Sequence, residues 1–260
     1  MNYTKQVNEI IQTYENDPID LLRLGAGADE YTYLQEMQYA YARTLNDVVP
    51  ILKKKCQVLE IGSLFGVVSR VLKQADFEVT ATDIPEFHQS EKLRELYRRN
   101  NIPFDSLDLR DGNLSYPSES FDAVIICEVI EHLNFNPLPV LQEINRVLKK
   151  NGVLYLAIPN QGWIMNRVKL LFGKSIHPPV QQFFDQLDKS KNHIVSLHWR
   201  EYTMHETVEL LQRTNFTIAK NYFFRENGPQ KTTLFSWMRF LLYLIPSFRP
   251  SLVILARKKS

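Results

Sequence analysis

Cysteine is scarce in this sequence. Cys56 and Cys127 are the only two in 260 residues, and each abuts an apolar run. That excludes a disulfide framework and a thiolate metal cluster, and predicts two buried, reduced thiols in a cytoplasmic protein. The opening stretch MNYTKQVNEIIQTYENDP has no apolar core, so no secretory signal is legible. An excess of one charge is missing too: 31 Lys and Arg stand against 29 Asp and Glu, a net charge of +2, which argues against a dedicated nucleic-acid binder. Short basic runs such as Lys53-Lys54-Lys55 and Lys149-Lys150 read as solvated faces. Internal repeats and low-complexity linkers are absent, as expected of one sizeable core with elaborations.

From residue 57 onward, short β-branched or apolar runs alternate with amphipathic segments. This pattern predicts an α/β fold, a parallel sheet wound by helices on both faces. The expected strands are 57–61, 78–83, 104–107, 123–127 and 153–159, followed by 216–224 and 251–257. Helices are expected near 67–75, 91–100 and 138–149. Asn136 before Pro137 reads as a helix start, Asn151-Gly152 as a helix stop, and TMHE (203–206) as a capping box opening a helix to about Asn215. Residues 1–50, rich in tyrosine at helical spacing, predict a helical N-terminal extension whose aromatics form a packing face. The remainder, 51–260, reads as one domain with a lid insertion at 160–200 and a hydrophobic insertion at 228–249. Strand C-termini are where open α/β sheets bind ligands, so the lid is well placed to cover a site.

The segment VLEIGSLFGVVSRVL (58–72) is a strand, a glycine-bearing turn and a helix start. Its glycines, Gly62 and Gly66, do not have the G-x-G-x-x-G spacing that cradles a pyrophosphate, and Glu60 just ahead of them would repel one. A nicotinamide-dependent oxidoreductase is therefore disfavoured. A cationic ligand suits Glu60 better, and S-adenosylmethionine, with a sulfonium and an ammonium, is such a ligand.

VLEIGSLFG followed by VTATDI resembles the first two motifs of class I S-adenosylmethionine-dependent methyltransferases, of the type 11 or 23 kind found in quinone biosynthesis and glycan modification. SLDLRDGNLSYPSESFDAVIICEVIEHL (106–133), EINRVLKKNGVLYLAIPN (143–160) and HWREYTMHETVELLQRTNFTIAKNYFF (198–224) extend the resemblance. It implies a Rossmann-like, doubly wound seven-stranded sheet, mostly parallel with an antiparallel last strand. It also implies a cofactor site: Glu60, Gly62, Ser63, Leu64 and Gly66 around the methionine moiety, Asp83 with Ile84 at the ribose, Asp108 with Leu109 at the adenine, and Cys127 with Glu128 at the exit of the fourth strand. A carboxylate at position 83 suits a vicinal diol because it offers acceptors to two donors. Leu64 stands where the family has a third glycine, so the turn must adjust its backbone there.

Methyl transfer to a hydroxyl benefits from a general base, for which His132 and His198 are the candidates. His132 has a second reading as a packing residue at the next helix start, and His198 as a lid anchor. Glu128 and Glu131, three apart, read as cofactor contact and helix start rather than a metal site. No histidine–carboxylate cluster at ligand spacing accompanies them, so no metal is expected. The expected acceptor is a small molecule or a lipid- or polyprenyl-linked glycan. The stretch 234–248 reads either as a peripheral membrane contact, making the protein membrane-associated, or as a sheet-edge or homodimer contact. The alternative to an enzyme is a cofactor-binding scaffold without turnover.

Overall fold

The structure, a computed structural model, describes residues 3–19, 30–185, 197–225 and 240–259. Seven strands form one sheet: β1 (Gln57–Ile61), β2 (Glu78–Asp83), β3 (Phe104–Ser106), β4 (Phe121–Cys127), β5 (Leu148–Pro159), β6 (Phe216–Phe224) and β7 (Ser251–Lys258). Their order is β3-β2-β1-β4-β5-β7-β6. β1 pairs in parallel with β2 and β4, while β7 runs antiparallel to both β5 and β6. The doubly wound sheet with one reversed strand is the predicted fold, and its direction of winding reverses between β1 and β4, the crevice where such sheets bind ligands.

Both faces of the sheet are covered, so its central strands are apolar at nearly every position. Alternate residues divide between two cores. Val58, Ala123, Ile125, Val153 and Tyr155 pack on one face, and Leu59, Ile61, Val124, Ile126, Leu154 and Leu156 on the other. The first face is covered by α1 (Thr4–Asn16), α2 (Glu30–Val48), α3 (Val67–Gln74) and α5 (Glu91–Arg99), with α4 (Pro85–His88) as a short turn between β2 and α5. The second is covered by α6 (Leu138–Val147) and α9 (Met204–Arg213). The N-terminal helices share the first core: Val7, Ile10, Ile11 and Tyr14 of α1 and Leu34, Leu45 and Val48 of α2 are buried in it.

The capping box is present: Thr203 Oγ1 accepts from the Glu206 N–H, and the Glu206 carboxylate accepts from the Thr203 N–H. Asn136 Oδ1 accepts from the Leu138 N–H at the start of α6. Asn151-Gly152 is not a helix stop. α6 ends at Val147, Leu148 is already extended (ψ 137°), and the pair lies inside β5 with Asn151 at φ 60°. There the chain folds so closely on itself that a Cβ on Gly152 would meet the Lys149 carbonyl oxygen at 2.8 Å.

The lid insertion contains α7 (Ile164–Leu171) and α8 (Val180–Asp185). Its residues 186–196, and residues 228–239 of the hydrophobic insertion, lie outside the described residues. Among those described, no helix is long and apolar enough to cross a membrane.

Candidate active site

The glycine-bearing turn begins where β1 ends. The N–H groups of Gly62 and Ser63 both donate to the Thr82 carbonyl at 3.0 Å, which bends the chain away from the sheet. Gly62 (φ 75°), Leu64 (φ 42°) and Gly66 (φ 65°) all occupy the left-handed region. Leu64 is thus the predicted backbone adjustment: a side-chain-bearing residue in a conformation that glycine adopts without cost. A side chain at either glycine would be strained, because a Cβ on Gly62 would lie 2.4 Å from Val129 Cγ2 and one on Gly66 2.9 Å from the Tyr97 ring. The first of these contacts also joins the turn to the loop leaving β4.

Two acids flank the turn. Asp83, at the end of β2, accepts from the Leu64 N–H (2.7 Å) and the Ile84 N–H (2.8 Å), one on each oxygen. Glu60 is buried and takes a short hydrogen bond from Ser69 of α3. Burial pushes Glu60 up to about 8 against the opposing Ser69 hydrogen bond, and the nearby Asp83 charge adds to the rise. Burial likewise raises Asp83 to about 6, opposed by the two backbone donors. No cation faces this pair within hydrogen-bonding range among the described residues. The set fits S-adenosylmethionine: a positively charged ligand compensates Glu60, and Asp83, with two hydrogen bonds made of the roughly four a carboxylate accepts, retains capacity for two ribose hydroxyls.

The other expected cofactor residues line the same edge. The Leu107 N–H donates to the Asp83 carbonyl at 2.8 Å, which sets Asp108 and the buried Leu109 beside β2. Both Asp108 oxygens are gripped by the Arg110 side chain at 2.6–3.0 Å, which holds the carboxyl below its ordinary range. An adenine amino group would have to share or displace that guanidinium. Cys127 faces α2, its sulfur 3.8 Å from Thr44 Oγ1, and burial pushes its thiol far above the ordinary value. Glu128 (φ 53°) donates its N–H to the Ala157 carbonyl.

Past Glu128 the chain forms a 3₁₀ turn, Ile130–His132. Glu131 opens no α-helix; its main-chain carbonyl accepts from the Trp199 and Arg200 N–H groups, at 2.8 and 3.3 Å. This seam brings His198 against His132, with ring centroids 4.8 Å apart and nearly perpendicular planes. His132 Nδ1 lies 3.0 Å from the Leu197 carbonyl, which only accepts, so Nδ1 carries the proton and Nε2 presents a lone pair. His198 Nδ1 meets Glu201 Oε1 at 3.2 Å, and the other Glu201 oxygen accepts from Asn166 of α7 at 2.9 Å. Burial, reinforced by His198, pushes His132 down to about 4. The Glu131 side chain is fully buried, and burial raises its carboxyl against its own backbone N–H, the nearby His198 and a hydrogen bond from Glu128.

The expectation of no metal rested on the lack of a histidine–carboxylate cluster. The fold supplies one: the ligating atoms of Glu131, His132 and His198 lie within 4.8 Å of one another. Sequence spacing missed it because His198 arrives from the far end of the lid insertion. It also missed Tyr97, whose hydroxyl donates to Ser63 Oγ at 2.7 Å, and Tyr14, whose hydroxyl donates to the Phe65 carbonyl. A buried polar Ser69 on the apolar stripe of α3 was the one signal available in the sequence for the support of Glu60.

Comparison with known proteins agrees with this geometry. A family described as a methyltransferase domain matches residues 59–156. A ubiquinone biosynthesis O-methyltransferase of Haemophilus ducreyi is 32% identical over 113 residues, 40% of this chain and 46% of that protein. The chain thus spans about half the length of the curated relatives it matches. Among solved structures, a chain of the Haloferax volcanii complex between the Trm112 methyltransferase activator and a methyltransferase superposes with a TM-score of 0.65 at 14% identity, covering 96% of this chain and 98% of that one. An S-adenosylmethionine-dependent methyltransferase of Mesorhizobium loti superposes at 0.59 and 16% identity, covering 85% and 100%. Residues 59–156 thus match a methyltransferase-domain family, and the chain has the Rossmann-like methyltransferase fold.

Proposed function

We propose that the chain transfers the methyl group of S-adenosylmethionine to a hydroxyl of a small molecule or of a lipid- or polyprenyl-linked glycan. The observation that carries this reading is the Glu131–His132–His198 cluster on the loop leaving β4, whose Val129 touches the glycine-bearing turn. When bound, the cofactor supplies an electrophilic methyl on a sulfonium. The chain's own task is then to position an acceptor oxygen and remove its proton, and positioning alone can lower the barrier by about 7–11 kcal/mol. Glu60 offsets the cofactor's positive charge and Asp83 receives the ribose. His132, one of the two candidates for the base, is depressed to about 4, a poor match to neutral pH. That leaves His198, whose Nδ1 faces Glu201, as the candidate to take the proton.

An acceptor with an apolar portion is supported by exposed apolar side chains on the two insertions. Leu170, Leu171 and Phe172 at the end of α7 are exposed, as are Leu241 and Leu244. The two segments are joined by the Trp163 indole N–H, which donates to the Tyr243 hydroxyl at 2.9 Å. The O-methyltransferase name of the Haemophilus ducreyi relative supports a hydroxyl as the acceptor group.

The test is calorimetry with S-adenosylhomocysteine, followed by release of that product in the presence of phenols, catechols, sugars and polyprenyl-linked sugars. Micromolar binding and turnover of one acceptor class are expected. Absence of binding at millimolar ligand overturns the reading. Binding without turnover across the panel transfers the chain to the scaffold alternative.

A further inference from the structure

We propose that Arg225, with Arg249 beside it, binds a phosphate or diphosphate group of the acceptor. The inference rests on the hydroxyl-methylation reading above and selects, among the acceptors named there, the prenyl-linked glycan, whose linkage carries such a group.

Arg225 follows directly on β6, at the edge of the sheet where the strands that carry the site end. Pro159 at the end of β5 pairs with Ser251, and Ser251 with Phe224, while β5 itself runs parallel to β4. The Arg225 guanidinium lies over the Tyr243 ring, 5.9 Å from its centroid. Its Nε is buried and has no hydrogen-bond partner. A half-buried guanidinium that has lost water from one nitrogen without gaining an acceptor is suited to an anion, and its planar fork matches phosphate oxygens two at a time. Tyr243 collects a second cation. Arg249 Nε donates to the Tyr243 carbonyl and its Nη1 to the Phe223 carbonyl, both at 3.0 Å, which fixes the group while using two of its five donors. Arg43 of α2 adds a third guanidinium, 5.9 Å from the ring of Phe224.

The surroundings are cationic by composition. Residues 160–184, 216–225 and 240–259 contain no Asp or Glu, but carry Arg167, Lys169 and Lys174 besides these arginines. A neutral acceptor would leave that charge without an opposite. Position then orders the ligand. The Tyr243 hydroxyl accepts from the Trp163 indole at the N-cap of α7, and from there the helix runs about 10 Å to the exposed Leu170, at 1.5 Å per residue. An apolar group and a cationic one thus follow in succession, as a prenyl chain and its phosphate do. In the other direction the strand order β4-β5-β7-β6 puts three strand spacings, about 14 Å, between the ends of β4 and β6. The anionic group is therefore not where the methyl arrives; a sugar supplies the spacer and the hydroxyl, and no bond to phosphorus is made or broken.

The experiment titrates the full chain by calorimetry with farnesyl diphosphate, sodium pyrophosphate and farnesol. Farnesyl diphosphate is expected to bind at least about 10-fold tighter than farnesol, and Arg225→Gln to lose at least about 10-fold of that affinity with its charge-assisted hydrogen bonds; circular dichroism checks that the variant folds. Farnesyl diphosphate no tighter than farnesol, or unchanged in folded Arg225→Gln, overturns the site. Pyrophosphate as tight as farnesyl diphosphate, and equally sensitive to Arg225→Gln, keeps the anion site but overturns its prenyl source in favour of a water-soluble phosphate. Should the variant not fold, the wild type decides: added NaCl is expected to weaken farnesyl diphosphate several-fold and leave farnesol unchanged, and an equal response of the two overturns the site. S-adenosylhomocysteine calorimetry on the wild type reads the other half separately, since its failure refutes the methyltransferase reading while the diphosphate titrations still stand.

Discussion

The main-chain N–H of Leu64 donates to Asp83 Oδ2 across 2.7 Å, tying the glycine-bearing turn of one strand to the acid that ends the next. One side chain shapes the turn and is the one expected to receive the ribose. Asp83→Ala removes both. We expect S-adenosylhomocysteine affinity to fall at least 10-fold and the melting temperature to drop by 2–4 °C per kcal/mol lost. Calorimetry and thermal denaturation check this; unchanged affinity removes Asp83 from the ribose.

Glu60 is expected to make cofactor binding depend on pH. Its folded value of about 8 stands above the ordinary 4.5 of the unfolded chain. A raised value means that the protonated acid is favoured by the fold: the contribution is fully present below pH 4.5 and is lost as pH climbs through 8. Glu60→Gln should therefore match the wild type at acid pH and exceed it in stability above pH 8, by about 1 kcal/mol or more. Cofactor binding near pH 7 should release close to one proton in the wild type and less in the variant. Calorimetry in buffers of different ionisation enthalpy counts the difference.

Leu64 sits at φ 42°. Leu64→Gly relieves that conformation while loosening the unfolded chain, effects of opposite sign and each about 0.5–1 kcal/mol. Stability should be little changed. Leu64→Val places a β-branched side chain in the left-handed region and should cost about 1–3 kcal/mol, read by urea denaturation. Equal losses in the two variants would argue against backbone strain at this position.

His132 has the opposite linkage. Its value is depressed to about 4 from 6.5, so the fold favours the neutral ring. That stability is present above pH 6.5 and is lost as pH falls through 4. His132→Gln should flatten the acid limb of a melting-temperature profile between pH 6.5 and 4; an unchanged limb would place the acid sensitivity elsewhere.

The sheet was legible because its signals are local. β1, β2 and β6 begin and end where their apolar runs do, and the capping box at Thr203 announces α9. The strand, turn and acid that the cofactor reading rests on were legible for the same reason, since they follow one another within a single unit. Asn151-Gly152 misled because left-handed backbone serves strand irregularities as well as helix ends. The Glu131–His132–His198 cluster was illegible. His132 and Leu197 meet across 65 residues, and no local pattern encodes that meeting. The tyrosines of α1 and α2 form a packing face, as their spacing predicted, but nothing in it indicated that Tyr14 and Tyr33 would close on Phe65 in the glycine-bearing turn.

The seam between the Glu131 carbonyl and the N–H groups of Trp199 and Arg200 has an evolutionary consequence. It anchors the return of the lid through two main-chain hydrogen bonds, to which the His132 imidazole adds a contact with the Leu197 carbonyl. The sequence and length of the insertion are then free to drift, while the imidazole that follows it is delivered to the same place. A chain built this way can change its acceptor by rewriting the loop and keep its cofactor half untouched.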